Sequence, residues 1–268
     1  VQILSHLLPM VRRKPYNYIH KVISPFLLGG VSILKGFISF IALFLLVSQA
    51  MAAAVYENDV QLEKDRLKLV ILETYNLTDA SEFRASLDTN NDSKVTELEL
   101  SSFKKSYLAS RSPQFLDYAE VDQGNITLYL DSISLELYNA TGDVTQAPLY
   151  VNTTINYGLT PALESNNHSL WVMGHPLIER MRIQLPQDTI LVSNDGLENV
   201  TTLNTDPLIL EGKSGIRNFM VGNKSTFEYA ANVEFRERKF YEHNYVLPLL
   251  LGVELLLVVF ALYMRRKR

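Results

Sequence analysis

Downstream of about Gly124 the chain alternates apolar and polar residues with a period of two. Between Asn58 and Tyr107 its apolar residues instead recur every three or four positions. Phe227, Tyr229, Ala231, Val233 and Phe235 alternate with Glu228, Ala230, Asn232, Glu234 and Arg236, the pattern of a half-buried strand. Val151, Thr153, Ile155 and Tyr157 form a second such row, with Asn152, Thr154 and Asn156 on the opposite face. Met181, Ile183 and Leu185 form a third, ending at Pro186. Ile126, Leu128 and Leu130 change phase to Ile133, Leu135 and Leu137, which predicts a turn or a bulge at Asp131-Ser132. N-D-G, Y-G and E-G-K-S-G segments read as turns between short strands. The expectation for residues 113–242 is an antiparallel β-sandwich-like domain, its strands beginning near Gly124.

The earlier segment reads as helical. Val60, Leu67, Val70 and Leu72 have roughly helical spacing with charges between them, which predicts a helix over Asn58–Tyr75. Asp79, with Glu82 three residues on, predicts the cap of a second helix that carries Phe83 and Leu87. Leu100, Phe103 and Tyr107 predict a third. The expected fold class is α+β: a helical region over 53–112, then the β-domain, then a C-terminal transmembrane helix.

Two segments are too apolar for this scheme. Gly36 to Val47 is nearly all apolar, preceded by Arg12, Arg13, Lys14, Lys21 and Lys35 and followed by Ala50-Met51-Ala52. A basic leader, an apolar core and an A-x-A site describe a secretory signal over residues 1–52, cleaved after Ala52, or a signal anchor if uncleaved. Val1 leaves the start open, and Met10 is a candidate initiator. Tyr245 to Met264 is long enough to span the hydrocarbon core, and the basic residues 265–268 that follow predict a cytoplasmic tail. The main domain is then expected outside the cell, as a single-pass protein, or a two-pass protein without cleavage. Glu254 sits near the middle of the span, where a carboxylate is costly and points to a partner in another membrane protein. In the two-pass case Lys35 is a partner within the chain, since both groups fall roughly 15 Å from the cytoplasmic face.

Between the helical spacings lies D-T-N-N-D-S-K-V-T-E-L-E, residues Asp88 to Glu99. Oxygen-bearing side chains stand at positions 1 (Asp88), 3 (Asn90), 5 (Asp92), 9 (Thr96) and 12 (Glu99), and Lys94 offers a backbone carbonyl at position 7. Ca2+ is a hard cation that takes six to eight oxygens, so a short loop must present every second side chain and close with a carboxylate that binds through both oxygens. With its flanking helices, the stretch Thr78 to Ser110 resembles an EF-hand, which implies Ca2+ as ligand. Position 6 is Ser93, where the family has Gly because the chain turns with φ > 0. That departure implies a weak site. EF-hands usually pair, and only one such loop is present, so its open side must be covered by the Asn58–Tyr75 helix, by the next domain or by another protomer.

Composition adds location. Eight N-x-Ser/Thr sequons begin at Asn76, Asn91, Asn125, Asn139, Asn152, Asn167, Asn199 and Asn223, all between the two apolar segments. Chance at this composition gives about two or three. Seven are read as glycan acceptors, and Asn91, inside the loop, as incidental. The chain has no cysteine, so its exterior part must be held by a core rather than disulfides. An exported, sequon-rich, cysteine-free domain is more similar to archaeal cell-envelope proteins than to animal receptors. Net charge −4 and the absence of a basic stripe exclude a nucleic-acid footprint. No catalytic motif is found; His168 and His175 read as structural or solvated, and Trp171, between Leu170 and Val172, reads as core. The expected function is therefore non-enzymatic: a membrane-anchored, exterior Ca2+-binding protein with a structural or binding role. The alternative is an accessory subunit of a membrane transporter or envelope enzyme complex that assembles through Glu254.

Overall fold

The computed structural model describes residues 54–221, 224–243 and 245–266. The leader with Met10 and Lys35, the cleavage site at Ala52, and Asn223 lie outside the described residues. The described chain opens with strands β1 (Val55–Leu62) and β2 (Arg66–Tyr75), not with a helix. In the turn between them the Glu63 N–H donates to the Arg66 carbonyl at 2.8 Å. The helix expected over Asn58–Tyr75 is overturned by burial of alternate residues: Tyr56, Asn58, Val60 and Leu62 on β1, then Leu67, Leu69, Ile71, Glu73 and Tyr75 on β2. The seven-residue step from Val60 to Leu67 imitates two helical turns, but it is a strand, a turn and a new strand. Val70 and Leu72 belong to the other, half-exposed face.

Helix α1 (Leu77–Leu87), the two-residue strand β3 (Lys94–Val95) and helix α2 (Glu97–Arg111) follow. Asp79 does not cap α1: the cap position is Asn76, and Asp79 sits inside the first turn, where a carboxylate complements the helix dipole. Beyond a 3-10 segment the strands are β4 (Ala119–Val121), β5 (Thr127–Tyr138), β6 (Gly142–Asp143), β7 (Leu149–Thr160), β8 (Asn167–Met173), β9 (Ile178–Gln184), β10 (Thr189–Asp195), β11 (Leu197–Thr205), β12 (Leu208–Ser214), β13 (Ile216–Val221) and β14 (Lys224–Glu237). Helix α3 spans Val246–Arg266. Among the described residues the chain is thus mostly strand. The α+β expectation is corrected to a β-rich fold with two helices between β2 and β4 and one at the C-terminal end.

The strands form a seven-stranded sheet in the order β11-β12-β9-β1-β2-β7-β5 and a sheet in the order β10-β14-β8-β4, with β13 on β14. The purely antiparallel expectation also fails, because β1 pairs with β9 in parallel. Its register sets Glu57 against Arg180 and Asp59 against Arg182, opposite charges on neighbouring strands. The phase change in β5 occurs inside one strand, with Asp131 and Ser132 both exposed, as a bulge rather than a turn leaves them. The Y-G segment is not a turn, because Gly158 lies inside β7; E-G-K-S-G breaks the chain only at Gly215, between β12 and β13, with Gly212 inside β12. A Cβ on Gly158 would meet the Tyr129 ring at 2.0 Å, so that glycine serves close packing. N-D-G is a turn, with Gly196 at φ +80 between β10 and β11.

Two units divide the described chain. One comprises Thr74–Lys105 and Leu137–Tyr150, and the other comprises Val55–Glu73, Ser106–Glu136 and the residues from Val151 onward. The first holds the loop; its core packs Tyr75 on Phe83 (5.0 Å between ring centres) and Phe83 on Phe103 (5.9 Å). The second holds most of the β-structure and α3, with Val60, Leu170, Met181, Ile183, Leu210 and Val233 fully buried. Its alternating burial along β7, β8 and β9 is compatible with sheets that each cover one face.

Candidate functional site

The loop between α1 and α2 is built on two local devices. At its start Asp88 follows the last residue of α1, and its N–H donates to the Arg84 carbonyl. At its end Thr96 caps α2: the Glu99 N–H donates to Thr96 Oγ1 at 3.3 Å, and the Thr96 N–H donates to Glu99 Oε2 at 2.9 Å. This T-x-x-E capping box satisfies two helix-end donors reciprocally. Between the two, Asn91 (φ 58) and Ser93 (φ 66) take the left-handed region. Ser93 does so at the sixth position, where Gly would incur no Cβ penalty.

Both carboxylate oxygens of Asp88, of Asp92 and of Glu99 accept hydrogen bonds. Asp88 takes the N–H groups of Asp92 (3.2 Å) and Ser93 (2.8 Å). Asp92 takes the Lys94 N–H (2.9 Å) and the Asn90 side-chain amide (3.2 Å). Glu99 Oε1 takes the Thr89 N–H (2.8 Å) and hydroxyl (2.9 Å), and Oε2 also takes the Thr96 hydroxyl (2.8 Å). The Thr96 N–H, then the Thr96 and Thr89 hydroxyls, pull the Glu99 carboxyl down to about 2, so it is ionised at neutral pH. Asp88 and Glu99 are buried; Asn90, Asp92, Lys94 and Thr96 are exposed.

The open side of the loop is covered from within the chain. β3 pairs antiparallel with β6, Lys94 opposite Asp143 and Val95 opposite Gly142, and the Val144 N–H donates to the Ser93 carbonyl at 3.1 Å. β6 is held in place by Arg84, which is fully buried on α1. Its Nε donates to the Asn139 carbonyl at 3.0 Å and its Nη2 to the Pro148 carbonyl at 3.3 Å. Nη1 also bonds the Gln146 carbonyl, and Nη2 the Asn139 carbonyl. Burial pushes the guanidinium down from its ordinary value. Sequence reasoning missed both Arg84 and β6. The signal for Arg84 was its place beside Phe83, between Ala80 and Leu87, on the only buried face of α1. β6 had none, being two residues long.

Whether this donor set suits Ca2+ depends on Glu99. Asp88, Asn90 and Asp92 present hard oxygens at alternate positions, and each oxygen keeps a second lone pair. Glu99 is engaged by Thr89 and Thr96, so to close a cation site it must leave its helix-capping position. Among the described residues, no three Asp, Glu or His side chains stand together as a ready-made metal cluster. The oxygens of Asp88, Asn90 and Asp92 fit a hard cation, and Glu99 would fit one only after leaving Thr89 and Thr96.

The other sequence-marked residues are scattered. Asn125, Asn139, Asn167 and Asn199 are exposed, and Asn76 and Asn152 half-exposed, so none of the six is buried. His168 lies 2.6 Å from Asp122 and 2.8 Å from the Glu164 carbonyl, whereas His175 meets Tyr56 edge-on. Trp171 is half-buried rather than core, and its indole N–H donates to Glu228 at 2.9 Å. α3 is long and apolar enough to cross a membrane, and Glu254 is exposed along it. The chain matches no protein-family model and no curated protein.

Proposed function

We propose that the chain is a membrane-anchored protein whose β-rich part lies outside the cell and whose Asp88–Glu99 loop binds Ca2+ as a structural clamp. The observation that carries this reading is the loop backbone. Ser93 adopts the left-handed conformation at position 6, and the following residues pair with β6 as an EF-hand loop pairs with a second loop. Bound Ca2+ would supply the positive charge that offsets Asp88, Asp92 and Glu99. Asp88, Asn90, Asp92, Thr96 and Glu99 would hold it through side-chain oxygens, and Lys94 through its carbonyl. The residues' own part is to keep the loop folded beforehand: Asp88 gathers the turn amides, and β6 fixes the exit strand. Because Glu99 gives up its hydrogen bonds to Thr89 and Thr96 on binding, affinity falls in the range of extracellular modules, about 10⁻⁴–10⁻³ M. Asn76, Asn125, Asn139, Asn152, Asn167, Asn199 and Asn223 would carry glycans on the same side.

Calorimetric titration of the full chain in detergent tests the clamp. Millimolar binding that disappears in Asp92→Ala and in Glu99→Gln supports it; no heat at about 10 mM Ca2+, far above the extracellular range, refutes it.

A second reading rests on Glu254. Among the described residues it pairs with none, and it stands amid Leu251, Val253, Leu255 and Leu257 on an exposed apolar helix. A carboxylate at that depth would be stabilised by a basic group on another membrane protein, which makes the chain an accessory subunit. Co-purification in mild detergent, with and without Glu254→Leu, tests it.

A further inference from the structure

The last strand does not hand over to α3 through a loose linker. The Glu242 N–H donates to the Lys239 carbonyl (2.8 Å) and the His243 N–H to the Phe240 carbonyl (3.3 Å). The Val246 N–H then donates to the His243 carbonyl (3.0 Å) and the Leu249 N–H to the Tyr245 carbonyl (3.0 Å). Hydrogen bonds therefore run turn by turn from the end of β14 into the helix. The knuckle is also tied sideways. Arg236 on β14 grips both oxygens of Glu242 at 2.8 and 2.7 Å, and the Arg238 N–H donates to the Asp188 carbonyl at 2.6 Å. A bidentate guanidinium–carboxylate pair is directional and holds geometry as well as charge.

This rigid knuckle presents three aromatic rings to the surroundings: Phe240 is 63% exposed, Tyr241 67% and Tyr245 57%. Phe240 and Tyr245 meet at 6.3 Å between ring centres and His243 stacks on Tyr245 at 5.2 Å, yet the rings stay mostly exposed, and a water-facing turn would not favour three large rings within six residues. Their place relative to α3 supplies the occupant. The apolar run Leu247–Met264 is about 27 Å long as a helix, close to the roughly 30 Å hydrocarbon core. The residues just before it then fall in the headgroup layer, where aromatic rings are favoured. The charges agree. Lys239 lies 6.0 Å over the Tyr241 ring and Arg238 is adjacent, both suited to lipid phosphate. The acidic groups around the knuckle face basic partners: Glu242 pairs with Arg236, Glu237 lies 3.6 Å from Lys64, and Asp188 lies 3.8 Å from His243.

We propose that Phe240, Tyr241 and Tyr245 form an interfacial anchor that seats the foot of the β-structure in the phosphate and glycerol layer of the bilayer, so that the domain is held upright rather than tethered freely. The proposal rests on the reading that α3 spans the membrane.

The chain has no cysteine, so single labels are available in the full protein. Spin labels at Tyr241→Cys and, separately, Leu257→Cys in phosphatidylcholine nanodiscs report collision with oxygen and with an aqueous nickel chelate. The expected result is strong oxygen and negligible nickel contact at 257, with nickel contact reduced several-fold and low label mobility at 241. Arg236→Gln should raise mobility at 241 and leave 257 unchanged. A deep label at 257 with full nickel access at 241 overturns the anchor while leaving the span intact. Nickel access at 257 overturns both. A 241 site shielded from oxygen and nickel alike points to a protein contact and also overturns it.

Discussion

Arg84→Met removes a buried cation while nearly conserving its volume, so the test isolates hydrogen bonding from cavity formation. The guanidinium makes four N–H···O contacts to three carbonyls, those of Asn139, Gln146 and Pro148. Hydrogen bonds from a charged donor are worth about 1.5–3 kcal/mol each, or roughly 5–9 kcal/mol for three satisfied carbonyls. Against this stands the desolvation of the guanidinium, several kcal/mol, which the variant recovers. The net destabilisation is about 2–4 kcal/mol, confined to the unit that holds the loop. In hydrogen exchange of the full chain this reads as about 30- to 1,000-fold faster exchange in α1 and residues 139–148. Exchange in β8 and β14 should not change. Arg84→Lys should not restore protection, because an ammonium cannot fork to three carbonyls. A change below about twofold in α1, the level of an ordinary surface substitution, would refute the assignment of Arg84 as the tie that positions β6.

Three further outcomes are expected. Ser93→Gly removes the Cβ penalty at φ 66 and should stabilise the loop by about 1 kcal/mol, read as a raised thermal midpoint and tighter Ca2+ binding; an unchanged midpoint contradicts the strain. Glu99 and Glu242 are both drawn from 4.5 to about 2, by Thr96 and by Arg236 respectively, so their contribution to stability is complete above about pH 4.5 and lost as pH falls toward 2. Urea midpoints between pH 6 and 2 should show that slope, and it should be shallower in Glu99→Gln. Glu254→Leu should favour insertion of α3 by about 2.5–3.5 kcal/mol in a translocon assay, while abolishing any co-purified partner; a retained partner removes Glu254 from the contact.

How much was legible depends on the range over which each feature is decided. The long apolar helix α3, the strands through Val151–Tyr157, Met181–Gln184 and Ala231–Phe235, and the turn at Gly196 could be read locally, because burial there follows hydrophobic runs and alternation within a few residues; the alternation did not hold at Phe227, which is exposed while Ala230 is buried. The spacing of oxygen-bearing side chains in Asp88–Glu99 was equally local, and Ser93 takes the positive φ expected at that turn. Asn58–Tyr75 was misread because charges fall on both strands and seven residues separate Val60 from Leu67. Only the pairing of β1 with β9, more than a hundred residues away, places Glu57 and Asp59 against Arg180 and Arg182.

By itself the sequence determined where the chain is apolar enough for a membrane, and where oxygen-bearing side chains and N-x-Ser/Thr sequons fall. Those are properties of single residues and short periods. Only the tertiary structure decided that the lone loop is closed by Gly142-Asp143, that Arg84 holds that closure through backbone carbonyls, and that Arg236 locks the last strand onto the turn before α3. Each of these joins groups distant in the chain or bonds a side chain to main-chain atoms, and main-chain carbonyls look alike at every position of a sequence.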